Sequence, residues 1–412
     1  MTSRAGLRAA AAVVSAAATT LAVLPVQAAA PTRDRAEPAP VPRAVVFAGH
    51  GYGHGHGMSQ YGAQGAGLKG VEYRTILRFY YPGTRLGHVG GGLRVLLTAD
   101  TSSDVSVRPA PGLRVRDLAD GERWRLPTGQ VGASAWRIAP TNDDASVSSV
   151  QYRDGGGWHR WNLPGRTVLR GDAQFRADTP LFLELPSGAV RGYRGVLRSA
   201  SPAPRATTRD TVNVTSADSY VRGVLPAEMP TSWSMPALRA QAVAARTYAT
   251  WSRSTAGNGH WDVCDTTSCQ VYGGVGSETK RGNAAVAGTA REILRHDGRP
   301  AFTQFSSSSG GWTAAGGQPY LPAQKDPWDD WPGNANHDWE QTVEASTIES
   351  RYPSIGRLRT VDVTSRDGHG EWGGRVRTVV LRGSNGNVSL SGDDLLFALG
   401  LRSTWFRPQI TG

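Results

Sequence analysis

Several features that identify well-known classes of protein are missing from this sequence. Beyond residue 30, no apolar stretch approaches the roughly 20 residues that a membrane-spanning helix requires. The chain has no HExxH motif of zinc peptidases and no internal repeat. It also has no helix-turn-helix, zinc-finger or RNA-binding signature. These absences argue against a transmembrane protein, a zinc peptidase of that class and a nucleic-acid-binding protein.

The first 30 residues have the composition of a secretory signal peptide. Arg4 and Arg8 give a positive start, Ala9–Leu24 is a run of small and apolar residues, and small residues at 26–30 offer a cleavage site. A membrane anchor is the alternative, but the run is shorter than a span requires. We therefore expect residues 1–30 to be removed, no transmembrane anchor to remain, and residues 31–44 to form a flexible leader.

Lysine is scarce, although the chain is strongly basic. The formal net charge is +11, and nearly all of the excess is arginine. A basic exported protein favours an anionic surface, either a wall polymer or the membrane face. A composition bias that runs through the whole chain is the alternative explanation.

One stretch, residues 220–249, organises the rest of the chain. It opens with an apolar run, Val212–Leu225, that is predicted to be extended, and then forms a proline-bounded turn over 226–230. A helix is predicted to begin near Pro236, with Ser234 as its N-cap and an apolar stripe through Leu238, Ala242, Ala245 and Ala249. Glu228 would then lie at a stiff corner between strand and helix. A solvated loop acid is the alternative.

These residues resemble the core of the SpoIID/LytB family of cell-wall proteins. The matching motifs are YxxGVxPxEMP over 220–230 and LxAQAVAARTYA over 238–249. In that family the matching glutamate, here Glu228, is the proposed catalytic acid of a lytic transglycosylase acting on peptidoglycan glycan strands. The matching arginine, here Arg246, is implicated with it. The resemblance implies an α+β fold that is β-rich, with antiparallel sheets and a few small-residue helices packed on them.

Two further family elements occur in an unexpected order. GHGHGMSQYGA over 53–63 and YYPGT over 80–84 precede the glutamate core, whereas in the family they follow it. The chain end, LGLRSTWF over 399–406, corresponds to the part that leads into them. This order predicts a circularly permuted domain, which is tolerated when the termini lie close together. We expect a permuted segment at 45–92, a β-rich region at 93–205 and a catalytic core at 206–412.

Residues 49–58 alternate glycine with larger side chains. If the segment is extended, His50, Tyr52, His54, His56 and Met58 share one face. Such a row more often lines a sugar or peptide groove, and metal binding is the alternative. The permutation predicts that His54 and Gln60 reach the cleft holding Glu228, although His56 replaces an apolar family residue.

Other substrate-binding candidates come from the core and from a later loop. Residues 309–313 match a serine-glycine-glycine-x-threonine loop that faces the cleft in the family. The candidates are Gln241, Gln270, Tyr272, Ser309, Gly310, Gly311 and Thr313. A flexible linker is the alternative for the loop.

The two cysteines, Cys264 and Cys269, form a disulfide or part of a metal site. An even count in an exported chain favours a disulfide. Some SpoIID relatives carry a zinc site here with two histidines and two cysteines. His260, Cys264 and Cys269 match it, but Ser268 stands where the second histidine is expected. We therefore expect the disulfide and no cofactor, with zinc as the alternative.

The single carboxylate in the core fits the chemistry of lytic transglycosylation. Ordinary glycoside hydrolysis uses two carboxylates. In lytic transglycosylation the sugar's own 6-hydroxyl is the nucleophile, so a second carboxylate is not required. The resemblance predicts a secreted, cell-wall-located enzyme of the sporulation type. Its substrate would be glycan strands with or without their peptides, and a cell-wall amidase is a possible partner. The alternative is a non-catalytic peptidoglycan-binding enhancer of an amidase.

Overall fold

The computed structural model describes residues 43–412 except 128, 130, 142–146, 204–205 and 258. The predicted signal peptide and most of the predicted leader lie outside the described residues. Within the described part, no helix combines the length and apolar character needed to cross a membrane.

Helices are few and mostly short. The described residues form α1 (Gln60–Leu68), α2 (Tyr73–Tyr80), α3 (Ala217–Glu228), α4 (Met235–Thr255), α5 (Lys280–Ala287), α6 (Ala345–Arg351) and α7 (Gly392–Leu399), with short 3-10 turns at Gly274–Ser277, Pro353–Ile355 and Glu371–Gly373.

Strands account for more of the chain than helices. They are β1 (Ala44–His50), β2 (Met58–Ser59), β3 (Arg85–His88), β4 (Gly92–Leu96), β5 (Val105–Val107), β6 (Arg114–Asp117), β7 (Arg123–Arg125), β8 (Ala135–Pro140), β9 (Ser148–Asp154), β10 (Gly157–Trp161), β11 (Ala173–Arg176), β12 (Leu181–Glu184), β13 (Val190–Tyr193), β14 (Val196–Ala200), β15 (Asp210–Ser216), β16 (Val263–Cys264), β17 (Glu292–His296), β18 (Arg299–Pro300), β19 (Phe305–Ser306), β20 (Asp338–Glu344), β21 (Leu358–Arg366), β22 (Val376–Gly383), β23 (Asn387–Ser391) and β24 (Phe406–Thr411).

Two large sheets dominate the first two thirds of the described chain. One has the order β16-β4-β15-β14-β11-β6-β7, and the other β10-β9-β8-β5-β12-β13. Their neighbouring strands are antiparallel, except for the parallel pair β16–β4. The smaller sheets are β20-β1-β24, β18-β17-β3, β21-β22-β23 and the parallel pair β19-β2. The predicted α+β, β-rich class with antiparallel sheets is confirmed.

Helix α4 lies at the centre of the larger hydrophobic core. Its N-cap is Ser234, whose side chain accepts a hydrogen bond from the Ala237 N–H, as predicted. The predicted stripe of Leu238 and three alanines is fully buried. Small side chains let α4 pack closely on α1, α2, α3 and α5. The local sequence therefore explains both where this helix begins and which face it buries.

The strand predicted over Val212–Leu225 is wrong beyond Ser216. The Ser216 side chain accepts a hydrogen bond from the Ser219 N–H and so caps α3. The buried positions of this helix recur at helical spacing: Ala217, Tyr220, Val221, Val224 and Leu225. Glu228 therefore ends a helix and does not follow a strand.

Local signals also set two element boundaries outside α3 and α4. Helix α5 is capped by the Thr279 side chain, which accepts a hydrogen bond from the Gly282 N–H, and Gly288 is its C-cap. Gly195, with a φ of +92°, turns the chain between β13 and β14.

The two ends of the described chain lie side by side. Strand β1 is the central strand of its sheet and pairs antiparallel with β20 and β24. The Arg43 N–H donates to the Thr411 carbonyl at 2.9 Å, and the His50 N–H donates to the Trp405 carbonyl at 2.9 Å. This is the juxtaposition that a permuted domain requires, and the permutation itself stays a prediction.

Candidate active site

The end of α3 places Glu228 at a cavity. Pro226 stands in the last turn of the helix, and Met229 follows in an extended conformation. The chain then turns back into α4, so Glu228 lies between two helices that pack on each other. Because the helix holds its backbone, the carboxylate has few conformations to lose on binding a ligand.

The cavity has a volume of about 370 Å³. Its lining residues are His54, Glu228, Tyr248, Thr267, Ser268, Cys269, Gln270, Val271, Gln304 and Phe305. Among these described residues, Glu228 is the only carboxylate. Tyr248 and Phe305 provide aromatic surface, which sugars commonly contact.

The surroundings of Glu228 favour its protonated form. Its Oε1 accepts one hydrogen bond, from the Val271 N–H at 3.2 Å. Burial raises the pKa of Glu228 above its ordinary value, and the Val271 hydrogen bond only partly opposes this effect. A raised pKa increases the protonated fraction of the carboxyl group, and the protonated form is the one that a general acid needs.

The histidine-glycine segment, residues 50–60, is not the extended row that the sequence predicted. Its glycines have positive φ angles: +74° at Gly51, +94° at Gly53, +76° at Gly55 and +67° at Gly57. Because the chain turns at each of them, the intervening side chains point in different directions. His54 faces the cavity of Glu228. His50 instead lies between Asp338 and Glu371.

The ring of His54 is neutral. Its Nδ1 accepts a hydrogen bond from the His56 N–H at 2.9 Å. Burial lowers the pKa of His54, as do the neighbouring His56 and Arg375. A neutral ring does not stabilise a nearby carboxylate, so His54 does not counteract the raised pKa of Glu228.

Gln60 contacts the backbone of Glu228. Its Nε2 donates to the Glu228 carbonyl oxygen at 2.9 Å. The side chain is buried, with 8% of the residue exposed. The prediction that Gln60 reaches the region of Glu228 therefore agrees with its position, but its amide contacts the backbone and does not face the cavity.

The predicted disulfide between Cys264 and Cys269 is confirmed. It closes the loop that carries Thr267 and Ser268 into the cavity wall. His260, the third residue of the alternative zinc site, pairs with Asp210 at 2.6 Å. Within the described residues no group of three or more potential ligands could hold a metal ion.

Comparison with known proteins matches this part of the chain to a known family. The model of the family "SpoIID: Stage II sporulation protein" matches residues 205–296, which include α3, α4 and the part of the cavity wall at residues 267–271. The chain carries a SpoIID-family domain.

Three relatives show the extent of the similarity. An amidase enhancer of Bacillus subtilis (strain 168) is 39% identical over 137 residues, which are 32% of this chain and 18% of that protein. Stage II sporulation protein D of Bacillus amyloliquefaciens is 30% identical, and that of Bacillus subtilis (strain 168) is 32% identical. Each of these alignments covers 51% of this chain and 65% of the relative. The chain thus matches less than two thirds of each relative's length.

Arg246 is not where substrate binding would require it in the SpoIID domain. It is fully buried, its Nε donates to Asp218 at 2.8 Å, and its Nη1 donates to the Glu292 carbonyl at 3.0 Å. Asp218 is in the first turn of α3, about 15 Å along the helix from Glu228. Arg246 therefore joins α4 to the start of α3, and it is not among the described lining residues.

Only one of the three other core candidates lines the cavity. Gln241 is fully buried in α4, and among the described residues its side-chain amide has no hydrogen-bond partner. Tyr272 is buried, and its hydroxyl donates to Asn213 at 2.9 Å. Gln270 lines the cavity, where its Oε1 accepts a hydrogen bond from the Tyr220 hydroxyl at 3.1 Å.

The serine-glycine loop, residues 309–313, faces a different cavity. Ser309 is buried and donates through its hydroxyl to Asp326 at 2.8 Å. The Thr313 hydroxyl donates to the Pro322 carbonyl at 2.8 Å. Gly310 and Gly311 line a separate space of about 450 Å³. The expectation that this loop shares the groove of Glu228 is therefore wrong.

Two buried carboxylates that sequence reasoning missed organise this second region. Asp329 accepts hydrogen bonds from Ser59, Ser308 and the His337 ring, and Asp326 accepts one from Tyr80. The acidic and aromatic composition of 327–339 was visible in the sequence. The serines that face these acids come from remote segments, so their pairing was not visible.

Proposed function

We propose that this protein is an exported lytic transglycosylase that cleaves peptidoglycan glycan strands. The observation that carries the proposal is a half-buried Glu228 with a raised pKa, standing as the only carboxylate among the described residues of its cavity. A retaining or inverting hydrolase would need a second carboxylate within reach. A transglycosylase uses the substrate's own hydroxyl in place of water.

One residue serves both proton transfers. Protonated Glu228 gives its proton to the glycosidic oxygen as the C1–O bond breaks. The resulting carboxylate takes the proton of the sugar's 6-hydroxyl as that oxygen bonds to C1, which gives a 1,6-anhydro end and regenerates the acid. Atoms and charges balance without water.

The cavity walls hold the sugar next to this carboxyl group. The Val271 N–H fixes Oε1 and leaves Oε2 for the substrate. Tyr248 and Phe305 offer ring surface, while Gln270, Gln304 and Ser268 offer hydrogen-bonding groups. His54 closes one side as a neutral ring, and Gln60 fixes the end of α3.

A non-catalytic role as an enhancer of a cell-wall amidase is the second candidate. It is favoured by the 39% identity to an amidase enhancer over 137 residues. In that role the same cavity would bind glycan without cleaving it, and the partner would be an amidase that removes the stem peptides.

Product analysis separates the two candidates. Purified protein is incubated with peptide-stripped glycan strands, and the products are examined for 1,6-anhydro ends by mass spectrometry. Wild type is expected to produce them, and Glu228→Gln is expected to lose about 10²–10⁴-fold in rate, as acid–base groups usually contribute. Glu72→Gln is the matched control, since Glu72 is exposed and its side chain does not cap α2.

The pH profile gives a second readout. The rate should fall as pH rises through the raised pKa of Glu228, because the acid form is needed to protonate the leaving oxygen. More than about a tenth of wild-type activity in Glu228→Gln would eliminate Glu228 as the general acid. Glycan binding without cleavage, together with stimulation of an amidase, would favour the second candidate.

A further inference from the structure

The outer face of the seven-stranded sheet carries an array of arginines. Pairing places Arg198, Gln174, Arg116 and Arg123 in one row across β14, β11, β6 and β7. Arg176, Arg114 and Arg125 form the next row on the same face, two residues further along each strand. The alternate positions Leu197, Phe175 and Val115 are fully buried. The sheet thus turns six arginines outward and its apolar residues inward.

Few carboxylates neutralise this face. Asp178 pairs with Arg114, and nearby Asp172 pairs with Arg209. For the other five arginines of the array, no salt bridge is formed with any described residue: Arg116, Arg123, Arg125, Arg176 and Arg198. Arg198 instead donates to Gln174 Oε1 at 3.1 Å. Burial lowers the pKa of Arg198, the charge of Asp172 raises it, and the like charges on Arg94 and Arg116 lower it by smaller amounts. Clustered guanidinium groups that repel each other gain most from a bound anion.

The array borders a groove that consists of two adjoining cavities. These cavities, of about 620 and 370 Å³, share Gln174, Arg176, Ala177 and Asp178 as lining residues. Ser216 and Ser219, at the start of α3, line the far end of the larger one. No described residue in either lining is aromatic. The groove therefore suits an elongated anionic chain and offers no ring on which a base could stack.

We propose that this groove binds a linear phosphodiester polymer without bases, such as a polyol-phosphate chain. Guanidinium groups form forked hydrogen bonds to the two free oxygens of a phosphodiester. Arginines two residues apart on a strand are about 7 Å apart, so successive ones contact successive phosphates. A concave groove selects a chain over a flat lipid surface, and the lack of aromatics disfavours nucleic acid.

This site is separate from the Glu228 cavity. Ser216 and Ser219 lie at the start of α3, whereas Glu228 is its last residue, about 15 Å further along the helix. Binding at the groove therefore does not depend on the proposed glycan cleavage, and the two can be tested independently.

The test measures binding of the full chain to a synthetic glycerol-phosphate oligomer by calorimetry, in low and in physiological salt. Arg123→Gln combined with Arg176→Gln removes two exposed arginines of the array. Arg359→Gln combined with Arg377→Gln, on β21 and β22, removes the same charge from another exposed surface. We expect the groove pair to weaken binding about tenfold or more and to reduce its salt dependence, and the control pair to leave binding within about twofold.

Three results would overturn the proposal. The first is an equal loss in both double variants, which would indicate net charge alone. The second is unchanged binding in the groove pair, provided that thermal unfolding shows all proteins to be folded. The third is arginine-dependent binding to single-stranded DNA or to anionic lipid vesicles that is tighter than binding to the glycerol-phosphate oligomer.

Discussion

Replacing Asp329 with asparagine should be among the most destabilising single changes in this protein. The carboxylate is fully buried and is surrounded by donors. It accepts hydrogen bonds from Ser59 Oγ, Ser308 Oγ, Ser309 N, Gly310 N, Asn334 Nδ2 and His337 Nδ1, at 2.6 to 3.0 Å. Burial alone would raise the pKa of Asp329, but these hydrogen bonds hold it below its ordinary value.

The magnitude follows from what asparagine cannot do. Its single side-chain oxygen can accept the donors of only one carboxylate oxygen, and its NH₂ group would face the remaining donors. Hydrogen bonds to a charged group contribute about 1.5–3 kcal/mol each, and breaking a buried ionic pair costs about 3–5 kcal/mol. We expect Asp329→Asn to lower the free energy of unfolding by about 3–5 kcal/mol, from a total that is typically about 5–15 kcal/mol.

Urea unfolding measures this loss, and the neighbouring residue provides the control. Asp330 is exposed, so Asp330→Asn makes the same chemical change beside a solvated carboxylate. His337 reports independently, because its pKa is raised by its hydrogen bond to Asp329 and should return towards the ordinary value in the variant. A loss within about 1 kcal/mol of the Asp330→Asn value would refute this account of the network.

Three further predictions concern the same framework. The pKa of Asp326 is raised from 3.8 to about 6 by burial and by the charge of Asp329, so between these pH values the folded state holds a proton that the unfolded chain has released. The stability that this bound proton contributes is lost as pH rises from about 4 to about 6. Asp326→Asn should therefore flatten the dependence of the free energy of unfolding on pH in that range. Cys264→Ser combined with Cys269→Ser should lower the free energy of unfolding by about 2 kcal/mol, because the short loop is no longer closed in the unfolded chain, and calorimetry without reductant should detect it. Gly57→Ala should lose more stability in urea unfolding than Gly70→Ala. Both glycines have positive φ, but a Cβ at Gly57 would meet a backbone carbonyl, whereas a Cβ at Gly70 would have no atom within 4 Å. Equal losses would show that only the backbone angle matters.

The sequence by itself determined the features that depend on near neighbours in the chain. Ser234 and Pro236 set the start of α4, and its alanine spacing set the buried face, because capping and helical periodicity involve residues only a few positions apart. The Cys264–Cys269 disulfide was accessible for the same reason, since only a short loop separates the two thiols.

Tertiary structure alone decided the properties of the candidate site. The raised pKa of Glu228 depends on burial by segments around residues 54, 271 and 304, which are remote from it in the chain. Arg246, although its motif matches the same family, pairs with Asp218 at the start of α3. Asp218 and Glu228 are ten positions apart in that helix, so about 15 Å separates this pair from Glu228. The loop at 309–313 contacts the buried carboxylates Asp326 and Asp329 and does not line the cavity of Glu228. A sequence motif therefore names residues that belong to one fold, and only their packing decides which of them meet at one site.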